Sequence, residues 1–177
     1  VIDPIKTEFA SRADIHLQLE PEHNIPVINA LLYTIIEEGL VNEEFVRDHT
    51  IGIEYVKEAV KDYAPEVVAK YTRLNPEDIR AAARMYATTK PAVITHGMGV
   101  THFNHGVGGV CDVSNLFLIT GNICELGTGD LPLRGQENVQ GCCDMGVLPN
   151  IFPNLGSVTD PEQRAWFEKM WHLEPGF

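Results

Sequence analysis

Ala92-Val93-Ile94-Thr95-His96-Gly97-Met98-Gly99-Val100-Thr101 is the stretch that decides the fold. Ala92–His96 reads as a short buried strand following Lys90-Pro91, and Gly97–Thr101 is the turn at its C-terminal end. A helix runs on from about Gly106 to Thr120 and stops at Gly121-Asn122. Working back toward the start, Val1-Ile2-Asp3-Pro4 reads as the end of a buried strand entering a turn. Ala13–Leu19 alternates apolar and polar, a further strand ended by Pro21. Between these strands the periodicity is helical. Asn24 caps a helix with Pro26 in its first turn, Ile25, Ile28, Leu32, Ile35 and Ile36 form its stripe, and Gly39 ends it. Helices follow over Glu43–His49, Ile53–Val60 and Pro65–Tyr71. Asn75-Pro76-Glu77-Asp78 opens another, with a cap, a first-turn proline and two acids at the positive end of the helix dipole. Strand, helices, strand, glycine turn and helix in this order make an α/β fold with a parallel sheet as the default. In such sheets ligands bind at the C-terminal ends of strands, here Asp3-Pro4 and Gly97–Thr101.

The chain has 177 residues, 44% apolar and 21% charged, which is ordinary globular material. A formal net charge of −12 argues against nucleic acid or an anionic membrane surface as the main partner. Between Lys90 and Gly129 the only acids are Asp112 and Glu125, so an anionic ligand meets least repulsion there. No apolar run reaches the roughly 18–20 residues of a membrane span. Cys111, Cys124, Cys142 and Cys143 form no CxxC pair and carry no zinc or iron–sulfur signature. They are expected to be reduced and mostly buried, in a reducing, cytoplasmic compartment; a periplasmic one stays open. The opening at Val1, without Met and inside a strand pattern, leads us to expect part of a longer chain. From about Asn138 the sequence turns to loop, with Pro149 and Pro153, until a last helix over Pro161–Trp171 behind Asp160.

Several residues have the chemistry of a site, each with a plainer alternative. Gly97-x-Gly99 between strand and helix suits a backbone cradle for phosphate, or a tight turn. Asp3 suits a ribose or guanine acceptor, or an Asp-Pro turn. His96, His102 and His105 fall within ten residues, yet no acidic or cysteine partner has matching spacing, so ligand contact or packing is the better reading than metal binding. His16 and His49 read as structural. Cys143 has no evident base and is a poor nucleophile candidate. Leu133-Arg134-Gly135-Gln136-Glu137-Asn138-Val139-Gln140-Gly141 sets one arginine in a glycine-punctuated, amide-rich segment. Arg134 offers a planar fork for a small carboxylate, or a salt bridge to a nearby acid.

Leu133–Gly141 together with Cys142-Cys143-Asp144-Met145-Gly146 resembles the Arg-Gly-Gln-Asn-Asn-Val-Gln-Gly-Ala-Cys-Asp-Met-Gly signature of formate dehydrogenase catalytic (alpha) subunits, in the molybdopterin oxidoreductase superfamily. Val1–Pro4, Ala13–Leu17, Ile35–Val41, Ile79–Ala87, Gly97–Thr101 and Leu118–Ile123 fall in family order. The resemblance implies a Rossmann-like, layered dinucleotide-binding domain over residues 1–136, with 137–177 returning into a neighbouring domain. It implies a large enzyme that oxidises formate to CO2 at molybdenum or tungsten held by molybdopterin guanine dinucleotide, with a 4Fe-4S cluster elsewhere in the parent chain. An iron–sulfur or flavin electron-transfer subunit and the rest of the parent chain would be its partners. By position, Arg134 matches the arginine that holds formate. Gly135 and Gln136 match pterin contacts, Asp3 a guanosine-binding acid, and Met98, Gly99 and Thr101 a turn over a pterin. His102 stands where many relatives carry Gln, Ile5 where Arg is common after Asp-Pro, and Cys142 where a small residue is usual. The metal-ligating Cys or selenocysteine and the cluster cysteines of the family match nothing here, so this chain alone is expected to be inactive. A nitrate reductase-like member and a non-catalytic scaffold are the competing readings; Arg134 favours formate.

Overall fold

The computed structural model describes residues 1–176 and divides the chain into two compact units, Val1–Leu133 and Arg134–Phe177. The first unit opens with α1 (Glu8–Ser11), whose amide at Ala10 is capped by the Thr7 hydroxyl. Its centre is α2 (Asn24–Glu37), where Val27, Ile28, Ala30, Leu31, Leu32, Thr34 and Ile35 are all buried. A helix buried on most of its surface must be wrapped by others. Here α4 (Ile53–Val60), α5 (Pro65–Thr72), α6 (Pro76–Thr88) and α8 (Gly106–Thr120) pack against it. α3 (Glu43–His49) is started by Asn42, whose side chain accepts from the Phe45 amide. The Asn42 amide donates to the Ile119 carbonyl and so docks α3 on the end of α8. α8 stops where Gly121 turns left-handed at φ 68°. Asp112 on α8 is half-buried, which pushes its carboxyl up to about 6, against the opposing pull of an Asn29 hydrogen bond.

Arg80 ties this helical core together from outside. Its guanidinium donates to Glu37 of α2 at 3.0 Å and to Glu66 of α5 at 2.9 and 3.1 Å. One turn on, Arg84 makes a bidentate pair with Glu38 at 2.7 and 2.8 Å.

The sheet of this unit is small. β1 (Val93–His96) lies parallel to β2 (Gly129–Pro132), in the register Val93↔Gly129 to His96↔Pro132. The single-turn helix α7 (Met98–Thr101) and α8 make the crossover between them. The parallel α/β arrangement expected from the sequence is therefore present, but β2 is a strand that the sequence reading does not include. It carries glycine at one end, proline at the other and a single large apolar residue, so no alternation announces it. Ala13–Leu19 departs the other way. Its apolar residues do turn inward, yet the ladder shrinks to one parallel bridge between Ile2 and Leu17. Asn24 does not cap α2 with its side chain; it donates to the Gly99 carbonyl at 2.6 Å, pinning the start of α2 to the turn after β1.

The second unit holds α9 (Val139–Asp144), an antiparallel pair β3 (Ile151–Phe152) and β4 (Gly156–Ser157), and α10 (Pro161–Met170). Asp160 caps α10 by accepting from the Glu162 and Gln163 amides. Phe167 stacks on Phe152 at 4.4 Å between ring centres and meets Trp166 and Trp171 at 4.7 and 5.0 Å. α9 lies where loop was expected: Asn138 enters it left-handed at φ 49°, and Gly141 leaves room for the Asn138 amide, 2.6 Å from where a Cβ would sit.

Candidate functional site

A groove of about 1000 Å3 runs through the first unit. Asp3 and Pro4 line one wall, β1 and the turn at Gly97 and Gly99 another, and Leu31, Ile35 and Ala83 its apolar floor. It therefore opens at the strand ends where the topology places ligands. Four residues singled out in the sequence, Asp3, His96, Gly97 and Gly99, line it. Asp3 uses one carboxylate oxygen to accept from the Ile5 amide at 2.7 Å, while its own carbonyl faces His16 Nε2 at 2.9 Å. That shapes the turn, and the second oxygen has no partner among the described residues. A Cβ built on Gly99 meets nothing within 4 Å, so internal packing does not require glycine there.

Met98, Thr101 and His102 are exposed on and just after α7, and none lines the groove. In the second unit Arg134, Gly135 and Gln136 are all exposed. Among the described residues Arg134 makes no ion pair and no hydrogen bond, unlike Arg80 and Arg84. Among the described residues no group of His, Cys, Asp and Glu stands together as a metal site. All four cysteines are free, but Cys111, Cys124 and Cys142 are exposed and Cys143 is only partly covered. The expectation that they are mostly buried is thus corrected: Cys111 lies on an outward face of α8, Cys124 in the loop beyond it, and Cys142 and Cys143 on a six-residue helix too short to bury both.

One constellation was not anticipated. His96 Nε2 on β1 lies 3.2 Å from Asp130 Oδ2 on β2, and the two side chains are 7% and 18% exposed. His96 was grouped with His102 and His105 by spacing alone. Nothing in the sequence marks Asp130, because only the register Ile94↔Asp130 brings it beside His96.

Comparison with known proteins gives these positions a context. No protein-family model matches the chain. It is 46% identical over 174 residues to the F420-dependent formate dehydrogenase subunit alpha of Methanocaldococcus jannaschii, covering 98% of this chain and 26% of that protein. It is 45% identical to formate dehydrogenase H of Escherichia coli, covering 98% of this chain and 24% of that one. A nitrate reductase of Synechocystis is 29% identical over 99% of the chain. Among solved structures, acetylene hydratase from Pelobacter acetylenicus superposes with a TM-score of 0.69 and 30% identity, over 71% of this chain and 17% of that one. The fold and these likenesses place the chain in the molybdopterin oxidoreductase superfamily. Within it, the chain is homologous to a segment of formate dehydrogenase alpha subunits. It spans about a quarter of the length of the curated relatives it matches.

Proposed function

We propose that this chain is a segment of a formate dehydrogenase catalytic subunit that carries part of a pterin site and the substrate arginine. The observation behind the reading is Arg134, an exposed guanidinium without a partner among the described residues, inside the stretch that matches the formate dehydrogenase signature. A planar, permanently charged fork suits a small carboxylate in two parallel hydrogen bonds. In the role proposed, Arg134 offsets the charge of formate and holds its C–H bond in one direction. The reaction is HCOO− → CO2 + H+ + 2 e−. Molybdenum or tungsten held by molybdopterin guanine dinucleotide would supply the two-electron sink when bound, and a 4Fe-4S cluster outside this chain and an electron-transfer subunit would be the route by which the electrons leave.

The groove fits the heterocyclic part of such a cofactor. The groove, about 1000 Å3, is at the upper end of ordinary ligand pockets and suits a large, partly apolar heterocycle. Asp3 would accept from a guanosine, and Gly99 lets backbone approach closely. The resemblance adds Met98, Thr101 and His102, outside the groove, and Gly135 and Gln136 of the second unit, as further proposed pterin contacts. Four free cysteines suit a reducing, cytoplasmic setting. Among the described residues no helix is long and apolar enough to cross a membrane.

The test is Arg134→Lys in the full-length parent. Loss of the fork should cost about 1.5–3 kcal/mol of transition-state binding, roughly 10- to 150-fold in kcat/KM for formate. Unchanged KM and kcat would refute the carboxylate role, and a parent without pterin or metal would refute the enzyme.

A further inference from the structure

The His96–Asp130 pair has no part in the reading above, yet it is the most heavily built polar feature beside the groove. Asp130 accepts at Oδ2 from His96 Nε2, and a carboxylate can only accept, so Nε2 must carry the proton. In the neutral imidazole the other nitrogen, Nδ1, then presents a lone pair. Nδ1 is closed off from solvent and has no hydrogen-bond partner, and neither has Asp130 Oδ1. Buried polar atoms of this kind are rare and call for a partner. His96 lines the groove and Asp130 does not. The backbone under the ring is held as well: the His96 carbonyl accepts from the Leu133 amide at 2.7 Å. The pair thus bridges two parallel strands, from the C-terminal end of β1 to the second residue of β2, with one nitrogen spent on fixing the ring and the other left over.

We infer that His96 is a ligand-contact residue of this groove, its Nδ1 accepting a hydrogen bond from an N–H of a planar heterocycle such as a pterin or guanine ring. Asp130 is the positioning residue that sets the tautomer and the ring plane, as second-layer carboxylates do for histidines elsewhere. The inference rests on the proposed function for the identity of the ligand. It adds a specific donor–acceptor contact at a position that the signature motif does not include.

Two substitutions in the full-length holoenzyme separate this role from a mere clamp between strands. His96→Gln keeps an amide donor near the Nε2 position, for Asp130, but places no acceptor at Nδ1. His96→Asn places an amide oxygen near Nδ1 and gives up the bond to Asp130. The readout is the rate of pterin release under anaerobic dilution, followed by the fluorescence of the oxidised pterin. His96→Gln should release pterin about tenfold faster, the equivalent of one buried hydrogen bond. His96→Asn should stay within about threefold of wild type. Wild-type rates in His96→Gln, or faster release in His96→Asn than in His96→Gln, would overturn the assignment in favour of a strand clamp. Should neither variant assemble, 15N shifts of the wild-type imidazole decide: an Nε2–H tautomer with a hydrogen-bonded Nδ1 supports it, and an Nδ1–H tautomer overturns it. A wild-type holoenzyme that yields no pterin would instead sink the functional reading on which this one stands.

Discussion

Replacing Arg80 with Met keeps the aliphatic stem and removes the charge. The guanidinium is 14% exposed, but its two close partners, Glu37 and Glu66, are 47% and 56% exposed. Fully exposed pairs are worth about 0.2–1 kcal/mol, and charge-assisted hydrogen bonds in drier settings about 1.5–3. A half-solvated bond belongs between these, at about 1 kcal/mol each. Removal also leaves Glu37, Glu38, Glu66 and Glu77 gathered around a missing cation, adding roughly 0.5–1 kcal/mol of repulsion. The expected loss is about 2–3 kcal/mol at pH 7, read by urea denaturation with far-UV circular dichroism. A double-mutant cycle with Glu66→Gln should return a coupling of about 1 kcal/mol. The pH dependence has a definite sign. The Arg80 hydrogen bond holds the Glu66 carboxyl below its ordinary 4.5, and Arg84 does the same for Glu38. Depressed carboxyls contribute stability above their unfolded value and lose it as pH falls through the folded one. The gap between wild type and Arg80→Met should therefore narrow below about pH 4.5. A loss under about 0.5 kcal/mol with no coupling to Glu66 would refute the view that Arg80 joins α2, α5 and α6.

Asp112 gives the opposite slope. Its carboxyl is raised from 3.8 to about 6, so the native state keeps a proton that the unfolded chain releases. Stability then falls as pH rises from about 4 to 6. The interval is worth about 3 kcal/mol at most and about 1–2 after allowing for partial exposure, so Asp112→Asn should stabilise by about 1–2 kcal/mol at pH 7 and by nothing near pH 3.5. Gly106 faces the Thr101 carbonyl oxygen at 2.2 Å from where a Cβ would sit. Gly106→Ala should cost about 1–3 kcal/mol by forcing α7 from α8, seen as a lowered Tm; an unchanged Tm would mean the turn is free to shift.

The helical core was legible because its signals are local: Asn75 caps α6 as its sequence suggested, and Gly121 ends α8. The strands were less so. β1 announces itself through β-branched residues, whereas β2 exists only through hydrogen bonds to β1 across an intervening helix. Ala13–Leu19 shows the converse, since alternation records which side chains turn inward and not whether a neighbour is there to pair with. The candidate site followed the same division. Asp3 and Gly99 could be picked out as strand-end residues, but the His96–Asp130 pair needed the register of β2. Asn24 was misread because its side chain reaches across the chain to Gly99 instead of to its own helix.

The groove wall has a practical consequence. Val1, Ile2, Phe9 and Val93 line it, and Phe9 is 76% exposed. An apolar surface of that kind beside a short strand pair is adhesive. Self-association at high concentration is the expected outcome for the purified polypeptide, read by light scattering against concentration. A mild detergent or a polar residue at Phe9 is therefore the first handle for biochemical work, with added salt strengthening the adhesion instead of relieving it.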